Sequence, residues 1–83
     1  MEYPNLWKEE NGALIRIFTF ENFIEAVDFV NKIVPVAEKL NHHPDIKIFS
    51  FKNVEIKITT HEEGNKITEK DIDLAKEIDK ILL

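Results

Sequence analysis

Val54-Glu55-Ile56-Lys57-Ile58-Thr59 alternates apolar and polar side chains without a break. A period of two is the pattern of a strand with one face buried and the other in water. Just upstream, Ile46, Ile48 and Ser50 alternate with Lys47, Phe49 and Phe51, which predicts a second strand. Lys52-Asn53 between the two reads as a tight turn. So short a link pairs the strands antiparallel, because a parallel pair needs a much longer crossover. A hairpin with one apolar face has to be covered on that face, and the rest of the chain supplies the cover.

Further upstream, Phe23, Val27, Val30, Val34, Ala37 and Leu40 recur at three- and four-residue spacing, with Ile24, Ile33 and Val36 widening the stripe. This predicts a helix over 21–40 with one flank left over for a partner. Thr19 is its expected N-cap. Pro35 lies inside the pattern and clashes with the carbonyl of Asn31, which predicts a kink, with two shorter helices as the alternative. Pro44 disfavours helical geometry for His43 and ends the helix there. Ala13 to Thr19 reads as a strand after the turn signal Asn11-Gly12. Residues 3–10 read as a further extended segment anchored by Trp7.

Downstream, Glu62 to Lys66 is a loop centred on Gly64-Asn65. Thr68 and Asp71 form a capping-box-like pair, and Ile67 and Ile72 are spaced for a hydrophobic staple. Ile72, Ala75, Ile78 and Leu82 mark the buried stripe of a helix over 69–82. The order is strand, helix, strand, strand, helix. The expected class is α+β, a small antiparallel sheet with two helices packed on one face. The edges of so small a sheet need protection, and pairing across a two-fold axis provides it.

Composition narrows the function. At 83 residues the chain is expected to be one domain, spanning 1–83. It has no cysteine, which excludes disulfides, thiolate nucleophiles and thiolate metal sites. The formal net charge is −5 with the two signs interleaved, unlike the basic stripe that tracks nucleic acid. No apolar run approaches the roughly 20 residues of a membrane span. Met1-Glu2-Tyr3-Pro4 lacks the basic and apolar regions of a signal peptide. The expectation is a cytoplasmic protein with no membrane and no direct nucleic-acid partner.

His42, His43 and His61 are the only histidines, and histidine is the side chain that ordinarily titrates near neutrality. His42 and His43 close the long helix, where its dipole favours a positive charge. Glu38 lies one i,i+4 step before His42 and is placed to orient it. His61 follows the alternating strand, so the three rings converge if that strand lies beside the helix end. Read from the residues alone, a His-His pair at a helix end also serves as a simple charge arrangement, and Asp71 as a helix N-terminal carboxylate. Three histidines with Glu38 or Asp45 offer enough zinc ligands, but the spacing His-Glu-x-x-His is missing. Gly12 and Gly64 are the only glycines, too few for a phosphate loop.

The run Glu38-Lys39-Leu40-Asn41-His42-His43-Pro44, then Phe51, then Val54 to His61, then Thr68-Glu69-Lys70-Asp71, resembles the pterin-4a-carbinolamine dehydratase family. Phe18-Thr19-Phe20-Glu21-Asn22-Phe23 and Trp7 extend the resemblance from about residue 7 to residue 82. Ile46 departs from it, standing where an aromatic often follows, as does Lys70, where arginine is frequent. The resemblance implies a lyase that dehydrates 4a-hydroxytetrahydropterin, in the recycling of tetrahydrobiopterin or a related pterin, to the quinonoid dihydropterin. On it, His42, His43 and His61 are the catalytic residues. Glu38 orients His42, and Asp71 fixes the pocket or binds near His61. The resemblance implies no metal and no cofactor. It implies a homodimer, with a tetramer as the alternative. A non-enzymatic dimerisation module and a role in molybdopterin metabolism are the rival functions it carries.

Overall fold

The computed structural model describes residues 3–82. The reading of Met1-Glu2 as the start of a leaderless chain lies outside the described residues. Four strands and two helices follow in the order β1 (Lys8–Glu10), β2 (Ala13–Thr19), α1 (Phe23–Leu40), β3 (Asp45–Phe49), β4 (Asn53–Ile58) and α2 (Glu69–Lys80). A single 3-10 turn, His61–Glu63, stands between β4 and α2.

The strands form one antiparallel sheet in the order β1-β2-β4-β3. Register places Leu14 opposite Ile58, Phe18 opposite Val54 and Ile46 opposite Ile56. One-residue alternation therefore puts Leu14, Phe18, Val54, Ile56 and Ile58 on one face. All five are buried there, and both helices cover that face. Ile17, Glu55 and Lys47 share the other face, where the register sets opposite charges across β4 and β3. The α+β class and the placement of both helices on one face are as the alternation implies.

The segment before the sheet is anchored by Trp7, which is buried and meets Phe18 edge to face at 6.1 Å. Its indole Nε1 donates to Asp79 of α2 at 2.9 Å, and the Arg16 guanidinium reaches the same carboxylate at 2.7 Å. Arg16 also lies over the Phe18 ring, 4.1 Å from its centre. One carboxylate thus ties strand, N-terminal segment and second helix together.

Four local expectations are corrected. The N-cap of α1 is Asn22, not Thr19; its side chain accepts from Glu25 N at 2.9 Å. The face of α1 turned to the sheet is Ala26, Phe29, Ile33 and Ala37, while Phe23, Ile24 and Val34 are exposed. The apolar arc spans about half the helix, wider than the face that meets the sheet, so periodicity alone does not choose which part of it is buried. The two alanines let the helix approach closely. The β3–β4 turn is Ser50–Phe51, both with positive φ, followed by Lys52, while Asn53 already belongs to β4. On α2, Leu74 joins Ile72, Ala75 and Ile78 in the core, and Leu82 is exposed. Helix α1 runs through Pro35 as one element, so the alternative of two shorter helices does not arise.

Candidate active site

The site is built where three chain segments end. Helix α1 stops at Asn41, which takes the left-handed conformation (φ 51°) and returns its N–H to Glu38 and Ala37 carbonyls. Asparagine tolerates that geometry better than most residues. The reversal changes where the next two side chains go. His42 turns inward and is 7% exposed, whereas His43 stays at the surface.

His42 meets Asp71 across the domain. Its Nε2 lies 2.6 Å from Asp71 Oδ1, and Asp71 is wholly buried. Asp71 also serves the start of α2. Thr68 is the N-cap, its side chain accepting from Lys70 N at 3.3 Å, and its own N–H donates to Asp71 Oδ2 at 2.7 Å. This is the capping box expected from the sequence. Thr60, at the end of the β4 segment, donates its hydroxyl to the same Oδ2 at 2.7 Å. Every oxygen of the carboxylate therefore faces a donor. A carboxylate that only accepts makes His42 Nε2 the protonated nitrogen and leaves the lone pair on Nδ1.

His43 finds a different carboxylate. Its Nε2 lies 2.5 Å from Glu38 Oε2, and both side chains are more than half exposed. The expected pairing of Glu38 with His42 is corrected, since the αL residue at Asn41 breaks the helical spacing that predicted it. Of the two expectations for Asp71, fixing the pocket or binding near His61, the second is corrected: its carboxylate meets His42.

His61 opens the 3-10 turn, with Nδ1 2.9 Å from Asn65 Oδ1. The loop is fixed at two points. Thr60 and Lys66 exchange backbone hydrogen bonds of 3.0 and 3.4 Å. Gly12 in the β1–β2 turn has φ +79°, and a Cβ there would sit 2.0 Å from the Asn65 carbonyl oxygen. Only glycine permits that approach. Thr59 adds a hydrogen bond to the Gly12 carbonyl at 2.7 Å. Thr60, Thr68 and Asn65 were not singled out as site residues in the sequence. The alternation running on past Ile58 into Thr59-Thr60 is the one signal that pointed at Thr60.

His42, His43 and His61 line one cleft of about 170 Å³ with Asn41, Thr59 and Glu62. Typical ligand pockets hold roughly 300–1,000 Å³, so this cleft has room for only part of a small ligand. The carboxyl of Glu62 is held below the usual carboxylate range, chiefly by its backbone hydrogen bond, with help from Lys70, His42 and His61. Among the described residues, no three His, Asp or Glu side chains lie close enough together to hold a metal ion.

Three imidazoles line one cleft, and one of them is held by a buried carboxylate; imidazole is a side chain suited to moving protons. Comparison with known proteins gives the chain a family. The sequence profile described as "Pterin 4 alpha carbinolamine dehydratase" matches residues 2–81. A protein of Sulfolobus acidocaldarius that carries the family's name is 47% identical over 75 residues, spanning 90% of this chain and 80% of the relative. One from Picosynechococcus is 48% identical over 80 residues, spanning 96% and 84%. The solved structure described as a transcriptional coactivator/pterin dehydratase from Brucella melitensis superposes with a TM-score of 0.84 at 33% identity, covering 93% of this chain and 82% of that one. A pterin dehydratase-like RuBisCO assembly factor of the alpha-carboxysome shares the fold, with a TM-score of 0.69 at 19% identity over 89% and 83% of the two chains. The chain belongs to the pterin-4a-carbinolamine dehydratase family.

Proposed function

We propose that this protein dehydrates 4a-hydroxytetrahydropterins to quinonoid dihydropterins, with His42, His43 and His61 as its acid–base residues. The observation that carries the reading is the convergence of the three rings on one cleft, with His42 held by buried Asp71. The reaction breaks the C4a–O bond. The N5–H bond releases its proton while its electron pair forms the C4a–N5 double bond, and the hydroxyl gains a proton and leaves as water. One group gives a proton and another takes one, so the site ends the cycle in its starting charge state. His42 and His43 perform these transfers, and His61 orients the pterin and assists as acid. Asp71 fixes the ring of His42, and Glu38 that of His43. An imidazole carries both a nitrogen that can give a proton and one that can take it, which suits the side chain to either half of the exchange.

The exposed Phe23, Ile24 and Val34 on α1, with the unpaired outer edge of β3, support self-association as a homodimer. Light scattering after gel filtration reads the oligomeric state directly. For activity, the test is the decay of 4a-hydroxytetrahydropterin in a stopped-flow spectrophotometer. The unmodified protein should accelerate it, and the double substitution His42→Ala with His61→Ala should abolish the acceleration while the circular dichroism stays native. Equal acceleration by the double variant would sink the assignment.

A further inference from the structure

Thr60 takes no part in the proposed acid–base exchange itself. It lies two residues past Ile58, the last ladder residue of β4, and is 1% exposed. Its backbone is bridged to Lys66 and so closes the loop that carries His61. Its side chain turns the other way, into the carboxylate that holds His42. A hydroxyl has one proton to give. That proton goes to Asp71 Oδ2 at 2.7 Å, so the contact of 2.8 Å between the two threonine hydroxyls runs from Thr68 Oγ1 to Thr60 Oγ1. Thr68 Oγ1 lies 3.4 Å from the same carboxylate oxygen, too far and too committed to replace Thr60 without movement.

We infer that Thr60 is a positioning residue that sets His42 against His61, through its hydroxyl on Asp71 for the first ring and through its backbone for the second. The inference rests on the dehydratase reading for its catalytic consequence, but not for its structural one. Substituting Thr60 by valine keeps the shape and the backbone bridges and removes the hydroxyl. The Thr68 hydroxyl then loses its acceptor and turns to Asp71 Oδ2, drawing the carboxylate towards the helix cap and away from His42. The two branches respond differently. The His42 ring is released, while the His61 loop, held by main-chain bonds, is untouched.

The experiment compares Thr60→Val and Thr60→Ser with the unmodified protein, using stopped-flow kinetics and the ¹⁵N chemical shifts of the imidazoles. In Thr60→Val, kcat should fall about tenfold or more, the usual effect of losing a hydrogen bond to a charged group, with KM within twofold. His42 should pass from the Nε2–H tautomer to a mixture, the His61 signals should not move, and Thr60→Ser should restore kcat to within about threefold. A folded Thr60→Val protein with unchanged kcat and an unchanged His42 tautomer overturns the inference. Disturbance of His42 and His61 together, with no rescue by serine, also overturns it, because that is the mark of a merely structural residue. The tautomer measurement needs no turnover. If the unmodified protein were inactive, the dehydratase reading would fall, while a His42 response in Thr60→Val would still uphold the positioning role and its absence would overturn it. Should Thr60→Val fail to fold, the unmodified protein decides alone: an Nδ1–H tautomer at His42 refutes the proton order on which the inference stands.

Discussion

Replacing Asp71 by asparagine changes one oxygen to an amide nitrogen with almost no change in volume. The carboxylate now accepts from Thr68 N–H and the Thr60 hydroxyl on Oδ2, both at 2.7 Å, and from His42 Nε2 on Oδ1 at 2.6 Å. The amide has one oxygen for these donors and two N–H groups of its own. The start of α2 requires the oxygen on the Thr68 side, which leaves the NH₂ facing His42. The ring must then present a lone pair at Nε2 and carry its proton on Nδ1. A charge-assisted hydrogen bond becomes a neutral one, which should cost about 1–1.5 kcal/mol, or roughly 4–12 °C in Tm for a domain of this size. The effect on turnover should be larger, because a properly protonated acid–base group contributes about 10²–10⁴ in rate. Stopped-flow decay of 4a-hydroxytetrahydropterin and a thermal melt measure both. A kcat within threefold of the unmodified protein, with Tm lowered as expected, would refute the argument that Asp71 acts through the His42 tautomer.

Other perturbations follow the same geometry. Glu38→Gln should lower kcat less than Asp71→Asn does, by under about tenfold, because an exposed pair contributes only about 0–1 kcal/mol; parallel kinetics on the two variants check the order. Gly12→Ala should destabilise the domain by more than about 1 kcal/mol through its positive φ and its approach to the Asn65 carbonyl, and should shift the His61 resonances in a heteronuclear spectrum. The Glu77 carboxyl lies below its ordinary range because Lys80 Nζ is bonded to it at 2.8 Å. A lowered folded-state value contributes stability above the unfolded pKa and loses it as pH falls through the folded one. Lys80→Ala should therefore bring the Glu77 carboxyl back towards the ordinary carboxylate value in an NMR titration.

The order of elements along the chain, the helix-covered face and the capping box were legible because each rests on local chemistry. Val54 to Thr59 alternates, Thr68 and Asp71 are spaced for mutual capping, and Trp7 has few ways to be satisfied outside a core. The errors came where a local rule met a tertiary decision. Glu38 and His42 are four apart, but the i,i+4 rule holds only while the helix lasts, and Asn41 ends it. An asparagine after the final apolar residue is a recognised helix stop. Given that weight, it would have turned His42 inward and left Glu38 to His43. The N-cap was misplaced for a similar reason: Asn22 with Glu25 three residues on competes with Thr19, and only packing decides. The partner of Asp71 was not readable, because 29 positions separate it from His42 and nothing local links them.

Asp71 belongs at once to the first turn of α2 and to the His42 ring. Helix ends open more readily than helix centres, and such local openings precede global unfolding. Each time the first turn of α2 lets go, the imidazole loses its tether in the same event. On the proposed acid–base role of His42, a chain that has not finished folding, or has begun to come apart, is chemically silent while most of its sheet is still intact. Turnover would then double as a gauge of the domain's own integrity, with selection for rate and selection for a well-formed helix start falling on one carboxylate.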